Sequence, residues 1–133
     1  MKAIGSNITR TIDTGAKLVC ADNSGAKELE LIGVKARQGT RQRRNACGIT
    51  DKVTVRVTKG TQEMKGEVHE AVIVRQQKDY QRANGLRVRF EDNAAVLLTK
   101  DSDIPQANRI KGAVAKEVVE RYSPVGKIAS VVV

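Results

Sequence analysis

The chain has 133 residues, 40% of them hydrophobic, and a formal net charge of +9. This length fits one domain with a single core, and the positive excess favours a polyanionic partner, most commonly nucleic acid, over a basic protein without such a partner. Its two cysteines, Cys20 and Cys47, are too few for a disulfide scaffold or a four-cysteine zinc site.

The first hundred residues predict short β-strands separated by turns. The predicted strands are 16–21, 27–36, 51–59, 67–77, 86–90 and 94–99. Within 27–36 the apolar positions change parity, which predicts a bulge or a bend near Gly33. The dipeptide Asn84–Gly85 predicts a hairpin. Several short strands joined by glycine and asparagine turns are typical of a small barrel or sandwich.

After residue 100 the chain is first polar and irregular. Residues 113–122 then predict a helix in which Val114, Val118 and Tyr122 share one stripe. Pro124 and the glycine that follows it are expected to end this helix. The last six residues are mainly apolar and predict either a short strand or a buried tail.

The positive charge is concentrated in residues 35–59, which carry eight basic and one acidic side chain. Because arginine holds phosphate oxygens with a planar fork of donors, this segment is predicted to be the main RNA anchor. The predicted RNA-binding residues of its loop are Lys35, Arg37, Arg41, Arg43 and Arg44, with help from Arg56, Lys59, Arg75 and Lys78. Repulsion among like charges predicts that the loop is mobile without RNA. The alternative is a solvated loop that only aids solubility.

The sequence contains little that resembles an enzyme site. His69 is the single histidine and lies in a predicted strand, where a surface or packing role is the expected one. Glu91 and Asp92 are adjacent and point to opposite faces of a strand, so we expect them to shape a turn or pair with arginines. The chain has no phosphate-loop motif and no metal-ligand spacing. We therefore expect no catalytic residue, metal or cofactor.

The aromatic residues also restrict how RNA could be bound. Proteins that bind single strands stack bases on exposed aromatic rings, and this chain has only Tyr80, Phe90 and Tyr122. Phe90 is expected in the core, on the same face as Leu86 and Val88. The pattern is thus typical of a protein that binds the phosphates of folded RNA.

The opening residues lack a continuous apolar stretch, and no run approaches the roughly 20 apolar residues that span a bilayer. We expect a cytoplasmic protein without a membrane partner.

Two stretches resemble the large-subunit ribosomal protein L-fourteen family. The first is "CADNSGAKELELIGV" at 20–34. The second, "AVIVRQQKDYQRANGLRVRFEDNAAVLL" at 71–98, is similar to the family signature: a small residue and three aliphatics, then Asn84–Gly85, Phe90, Asn93 and an aliphatic pair. "KGTQEMKGEVHEAVIVRQ" resembles the archaeal and eukaryotic branch, and the short N-terminal region favours the archaeal one.

The resemblance implies a mainly β fold: a small closed five-stranded barrel with a hairpin or loop extension and a short C-terminal helical extension. The whole chain, 1–133, would form one domain, with the barrel in 1–100 and the C-terminal loop and short helices in 101–133. The implied role is that of a structural constituent of the large ribosomal subunit, bound to its rRNA near the intersubunit face. Implied partners are neighbouring large-subunit proteins, including the L-three family, small-subunit rRNA at a bridge, and an anti-association initiation factor.

Residues 91–133 carry no net charge, so the C-terminal unit is predicted to bind protein more than RNA. The predicted partner-contacting residues are Ile110, Lys111, Val114, Glu117, Val118, Arg121 and Tyr122, with an exposed Ile110 or Tyr122 as apolar anchor. The alternative is that the helix only closes the barrel end. For the whole chain, the remaining alternatives are a free-standing RNA-binding barrel outside the ribosome and a small nuclease on a basic barrel.

Overall fold

The computed structural model describes residues 3–35 and 45–133. Its elements in chain order are β1 Lys17–Cys20, β2 Ala26–Val34, β3 Lys52–Gly60, β4 Val68–Arg75, β5 Tyr80–Gln81, β6 Arg87–Val88, β7 Ala94–Leu98, β8 Ile110–Val114, α1 Lys116–Arg121, α2 Ser123–Ile128 and β9 Ala129–Val132. A closed barrel is formed by β1, β2, β3, β4 and β7 in that order. The predicted mainly β fold with a five-stranded barrel is confirmed.

The side chains inside the barrel come from alternate positions along its strands. In β3, Val53, Val55 and Val57 are buried, while the residues between them point outward, as the period of two in a strand requires. All five residues of β7 are buried, because the segment that follows covers the outer side of this strand, where Gln106 donates its backbone N–H to Leu97 O at 3.1 Å.

Of the two outcomes predicted near Gly33, a bulge or a bend, the structure shows a bulge. The pairing of β2 with β3 passes from Leu31 opposite Val55 to Gly33 opposite Thr54. Ile32 is therefore skipped in the ladder, and its side chain is 46% exposed. The extra residue explains the change of apolar parity in the sequence.

The barrel closes through β1 and β7, which run parallel and pair at only two positions. The carboxylate of Asp22 reinforces this closure, since it accepts hydrogen bonds from the backbone of Leu97 at 3.0 Å, from the hydroxyl of Ser24 at 2.6 Å and from the thiol of Cys20 at 3.0 Å. Burial, together with the charge of Asp22, raises the pKa of Cys20 to about 12. Cys20 is thus a neutral, buried donor, in agreement with the predicted core role.

The predicted hairpin is present, with β5 and β6 paired antiparallel across a turn that contains Gly85 at φ +87°. Its second strand is shorter than predicted. Leu86 is 63% exposed at the tip, and Phe90 is half-buried against the edge of the core. The expectation that this face of the hairpin enters the core is therefore wrong for Leu86, because the hairpin tip projects from the barrel, whereas Val88 and Phe90 pack against the core.

The C-terminal region differs from the predicted single helix over 113–122. Its first residues belong to β8, which pairs in parallel with β9, so α1 begins only at Lys116. Pro124 does not stop the helical region. It lies in the first turn of α2, where its missing N–H costs nothing. The final residues form a strand, one of the two predicted outcomes.

No helix among the described residues is long and apolar enough to cross a membrane.

Candidate nucleic-acid interface

The predicted RNA-binding loop begins at Lys35. Arg37, Arg41, Arg43 and Arg44, and with them the expected mobility of the loop, lie outside the described residues. Lys35 pairs with Glu70 of β4, and Lys52 Nζ lies 3.3 Å from the second oxygen of that carboxylate as an ion pair without a well-formed hydrogen bond. The hydrogen bond from Lys35 lowers the pKa of Glu70. The first residue of the loop is thus fixed electrostatically to the barrel.

The outer wall of β1, β2 and β3 carries alternating charges. Arg56 donates to Glu30 at 2.6 Å, Lys17 lies 3.6 Å from Glu30, and Lys59 lies 3.6 Å from Glu28. The hydrogen bond from Arg56, followed by the charge of Lys17, lowers the pKa of Glu30. Exposed pairs of this kind contribute little to stability, so phosphate can compete for the cations. Each exchange, however, leaves an acid beside the RNA, which makes this wall a weaker anchor than a purely basic loop.

Lys78 has a similar neighbour. Its Nζ lies 3.8 Å from Asp79, the residue that Arg87 contacts at 2.6 Å.

Arg75 was predicted to help bind RNA, but its guanidinium is committed within the chain. Its Nε donates to Asp92 at 2.8 Å, and its Nη1 donates to the backbone carbonyls of Lys111 and Ala113 at 2.9 and 3.0 Å. The side chain is 11% exposed. Arg75 thus connects β4 to β8, and its guanidinium donors are used mainly within the chain. The same contact confirms that Asp92 pairs with an arginine.

Gly112 makes this connection possible. It has φ +79°, and a Cβ at this position would lie 2.5 Å from Nη1 of Arg75. A flexible arginine could usually move aside, but this one is held by Asp92 and two carbonyls. The backbone of β8 approaches the guanidinium closely because the residue there has no side chain.

The apolar residues predicted to contact a partner are buried instead. Ile110, Val114 and Val118 are 0% exposed and Tyr122 is 4% exposed. The expectation of an exposed Ile110 or Tyr122 anchor is wrong, because β8 and α1 pack this stripe against the barrel. For these side chains the structure supports the alternative in which the helix covers the barrel end.

Glu117 is also internal. Its carboxylate accepts hydrogen bonds from Ser6 at 2.9 Å, from the Tyr80 hydroxyl at 2.9 Å and from Nε of Arg82 at 2.8 Å. Burial disfavours its charged form, but the hydrogen bonds outweigh this effect and lower the pKa of Glu117. Arg82 also donates to the Val133 carbonyl at 2.6 Å. This network joins the N-terminal segment, the hairpin, α1 and the chain end.

Two predicted partner residues remain accessible. Lys111 is exposed, and Arg121 is half-exposed with its Nη1 donating to the Thr50 hydroxyl at 2.9 Å.

Although residues 91–133 have no net charge, the charges that they leave unpaired at the surface are mainly positive. Three of its acids, Asp92, Asp103 and Glu117, pair with Arg75, Lys52 and Arg82, which lie earlier in the chain. Sequence reasoning missed this division because it counted charges without their partners. Within 3–35 and 45–133, the exposed cations with no acid within 4 Å are Lys27, Lys65, Arg89, Lys100, Arg109, Lys111, Lys116 and Lys127.

The described structure is thus a small closed barrel with a basic surface and an attached C-terminal unit. Residues 11–133 match the family model described as "Ribosomal protein L14p/L23e". The chain belongs to this family. It is therefore a structural protein of the ribosome, located in the cytoplasm, and its family is not a family of enzymes.

Archaeal members of the family resemble the chain over its whole length. It is 52% identical to the large ribosomal subunit protein uL14 of Methanococcus maripaludis over 99% of both chains. It is 49% identical to that of Halorubrum lacusprofundi and 45% identical to that of Haloarcula marismortui, each over 100% of both chains. The predicted L-fourteen family and its archaeal branch are confirmed.

The contact between Gly112 and Arg75 can be tested by comparing Gly112→Ala with Gly85→Ala. Both glycines have positive φ, but a Cβ at Gly85 meets nothing within 4 Å. Both variants should lose the roughly 1–2 kcal/mol that left-handed backbone costs an L-residue. Gly112→Ala should lose about 1–3 kcal/mol more, as in other overpacked sites. Urea unfolding measures the difference, and equal losses would show that Arg75 is not held in place.

Proposed function

We propose that the chain is a structural constituent of the large ribosomal subunit that binds large-subunit rRNA. The observation that carries this proposal is the set of exposed cations without acidic partners, on a fold whose family is ribosomal. The relatives' name, large ribosomal subunit protein, supports the choice of subunit. A free-standing RNA-binding barrel would use the same cations. Co-sedimentation with large subunits through a sucrose gradient favours the ribosomal role, and its absence favours the free-standing one.

The main rRNA anchor in this proposal is the loop that carries Arg37, Arg41, Arg43 and Arg44 and begins at Lys35. Its support is the concentration of guanidinium groups in the sequence. Arg56, Lys59 and Lys78 contribute less, since each has a carboxylate within 4 Å. The family resemblance further supports a position near the intersubunit face, a bridge to small-subunit rRNA and contact with the L-three family protein.

The loop assignment predicts a difference between two triple variants of equal charge. The loop variant combines Arg41→Ala, Arg43→Ala and Arg44→Ala and should bind rRNA more weakly. The slope of log affinity against log salt should become shallower by about 2–3, because a complex with fewer phosphate contacts releases fewer counterions when it forms. The control combines Lys17→Ala, Arg56→Ala and Lys59→Ala on the paired barrel wall and should change the slope by less than about 1. Filter binding across a salt series measures both. An unchanged slope in the folded loop variant, or equal changes in the two, would contradict the assignment.

We also propose that the C-terminal unit docks an anti-association initiation factor, through residues other than those predicted. Val131, Val132 and Val133 are 52%, 48% and 46% exposed, and because they follow one another along and just after β9, they present apolar surface on both faces of this strand end. The backbone N–H of Lys116 donates to the Val133 carbonyl at 3.0 Å, which brings an exposed lysine next to the valines. An apolar patch with a charged rim is the usual anatomy of a protein interface.

This docking surface predicts separate effects on assembly and on factor binding. Val132→Ser and Lys116→Glu should still enter large subunits, because neither side chain is buried and the basic loop, the main rRNA anchor, is intact in both. Each should weaken factor binding about tenfold, as loss of one interface anchor does. Val68→Ser, which changes a 58% exposed valine on the barrel, is the matched control and should have no effect. Normal factor binding by both C-terminal variants in assembled subunits would reject the proposal.

A further inference from the structure

Phe90 borders two clefts on the surface of the barrel. Its backbone N–H donates to Gln76 O at 3.1 Å, which fixes the start of this turn. The clefts have volumes of about 530 and 500 Å³, and Phe90 and Glu91 line both. Volumes of this order fall within the roughly 300–1,000 Å³ of small-molecule sites. The other two aromatic residues, Tyr80 and Tyr122, are 0% and 4% exposed, so Phe90 is the aromatic side chain that reaches the surface.

The larger cleft brings Gln77 next to three consecutive residues of the turn after β6. It is lined by Gln77, Arg89, Phe90 and Glu91. Arg89 and Glu91 are exposed, and across the described ranges neither has an oppositely charged group within 4 Å. The site therefore offers an apolar ring, an available cation and an available carboxylate.

Gln77 is held in a defined orientation at this cleft. Its side-chain Nε2 donates to the Glu91 carbonyl at 2.8 Å, and its backbone N–H donates to Oδ1 of Asn93 at 2.9 Å. The Nε2 keeps a second N–H, so the Gln77 amide can still donate as well as accept. Beside the ring, the cleft thus presents the Glu91 carboxylate, which accepts hydrogen bonds only, and the Gln77 amide, which can do both.

We propose that this cleft holds one unpaired guanine of the rRNA, an inference that rests on the rRNA binding proposed above. The base stacks on Phe90, as unpaired bases do on aromatic side chains, and Arg89 binds an adjacent phosphate. Guanine matches the Glu91 carboxylate because its Watson–Crick edge carries two neighbouring donors, N1–H and the N2 amino group, for the two carboxylate oxygens. A carboxylate accepts hydrogen bonds only, so Glu91 excludes a phosphate from this position and favours a base edge rich in donors.

The test is chemical probing of unpaired guanines with kethoxal, which modifies N1 and N2, on large-subunit rRNA bound to the full chain. The wild type should protect one guanine. Phe90→Leu removes the π face and keeps apolar bulk, so it should lose this protection and bind about tenfold more weakly. Phe90→Tyr should retain both the guanine protection and the wild-type affinity, and Glu91→Gln should lose the protection. Glu120→Gln, an exposed acid of α1, is the matched control and should behave like the wild type.

The outcomes separate this inference from the proposed function. Failure of the wild type to bind the rRNA would remove the proposed function itself. If the wild type binds the rRNA but Phe90→Leu and Glu91→Gln protect the same guanines from kethoxal as the wild type does, the guanine site is overturned and the proposed function stands. If Phe90→Leu does not fold, as judged by thermal unfolding, the exposed Glu91→Gln variant decides between retained and lost protection.

Discussion

The placement of the C-terminal segment depends on ion pairs between its acids and basic residues that precede it in the chain. Arg82 and Glu117 form the most buried of these pairs, with side chains 10% and 1% exposed. Removing one partner of a buried pair leaves an uncompensated charge and typically costs about 3–5 kcal/mol. The hydroxyls of Ser6 and Tyr80 complete the environment of the carboxylate. This constraint fixes α1 against the hairpin, and through Arg82 it also fixes the chain end.

The same pairing determines what the surface can bind. Because Asp92, Asp103 and Glu117 are used internally, Lys111 and Lys116 face solvent without acidic neighbours in the described part of the chain. Burial of the predicted apolar stripe leaves Ile104 and the final three valines as the exposed large apolar residues of this unit. The barrel wall shows the opposite arrangement, in which cations and acids alternate and cancel. The positive potential is therefore distributed unevenly over the described surface.

The sequence predicts those features that depend on local patterns. Alternating valines identify β3, the parity change at Gly33 identifies the bulge, and Asn84–Gly85 identifies the hairpin. Barrel closure and the attachment of the C-terminal unit depend on contacts between distant residues. Glu117 meets Ser6 across 111 positions, and Arg75 binds carbonyls 36 and 38 positions away. Sequence periodicity does not report contacts of this kind, so Glu117 and Arg75 were both predicted to lie on the surface. One signal was present, since Glu117 lies three residues after Val114 and directly beside the predicted apolar stripe.

The most direct test of this account is a double-mutant cycle between Arg82 and Glu117, with both changed to glutamine. If the pair holds α1 in place, the unfolding free energies of the variants should be non-additive by about 2 kcal/mol at pH 7. The pKa of Glu117 is lowered in the folded state from the ordinary value of 4.5. The stability it contributes is therefore fully present above that value and is lost as pH falls through the folded pKa, so the coupling should decline below about pH 4.5. Additive effects at pH 7 would contradict the account, because packing alone would then place the C-terminal unit.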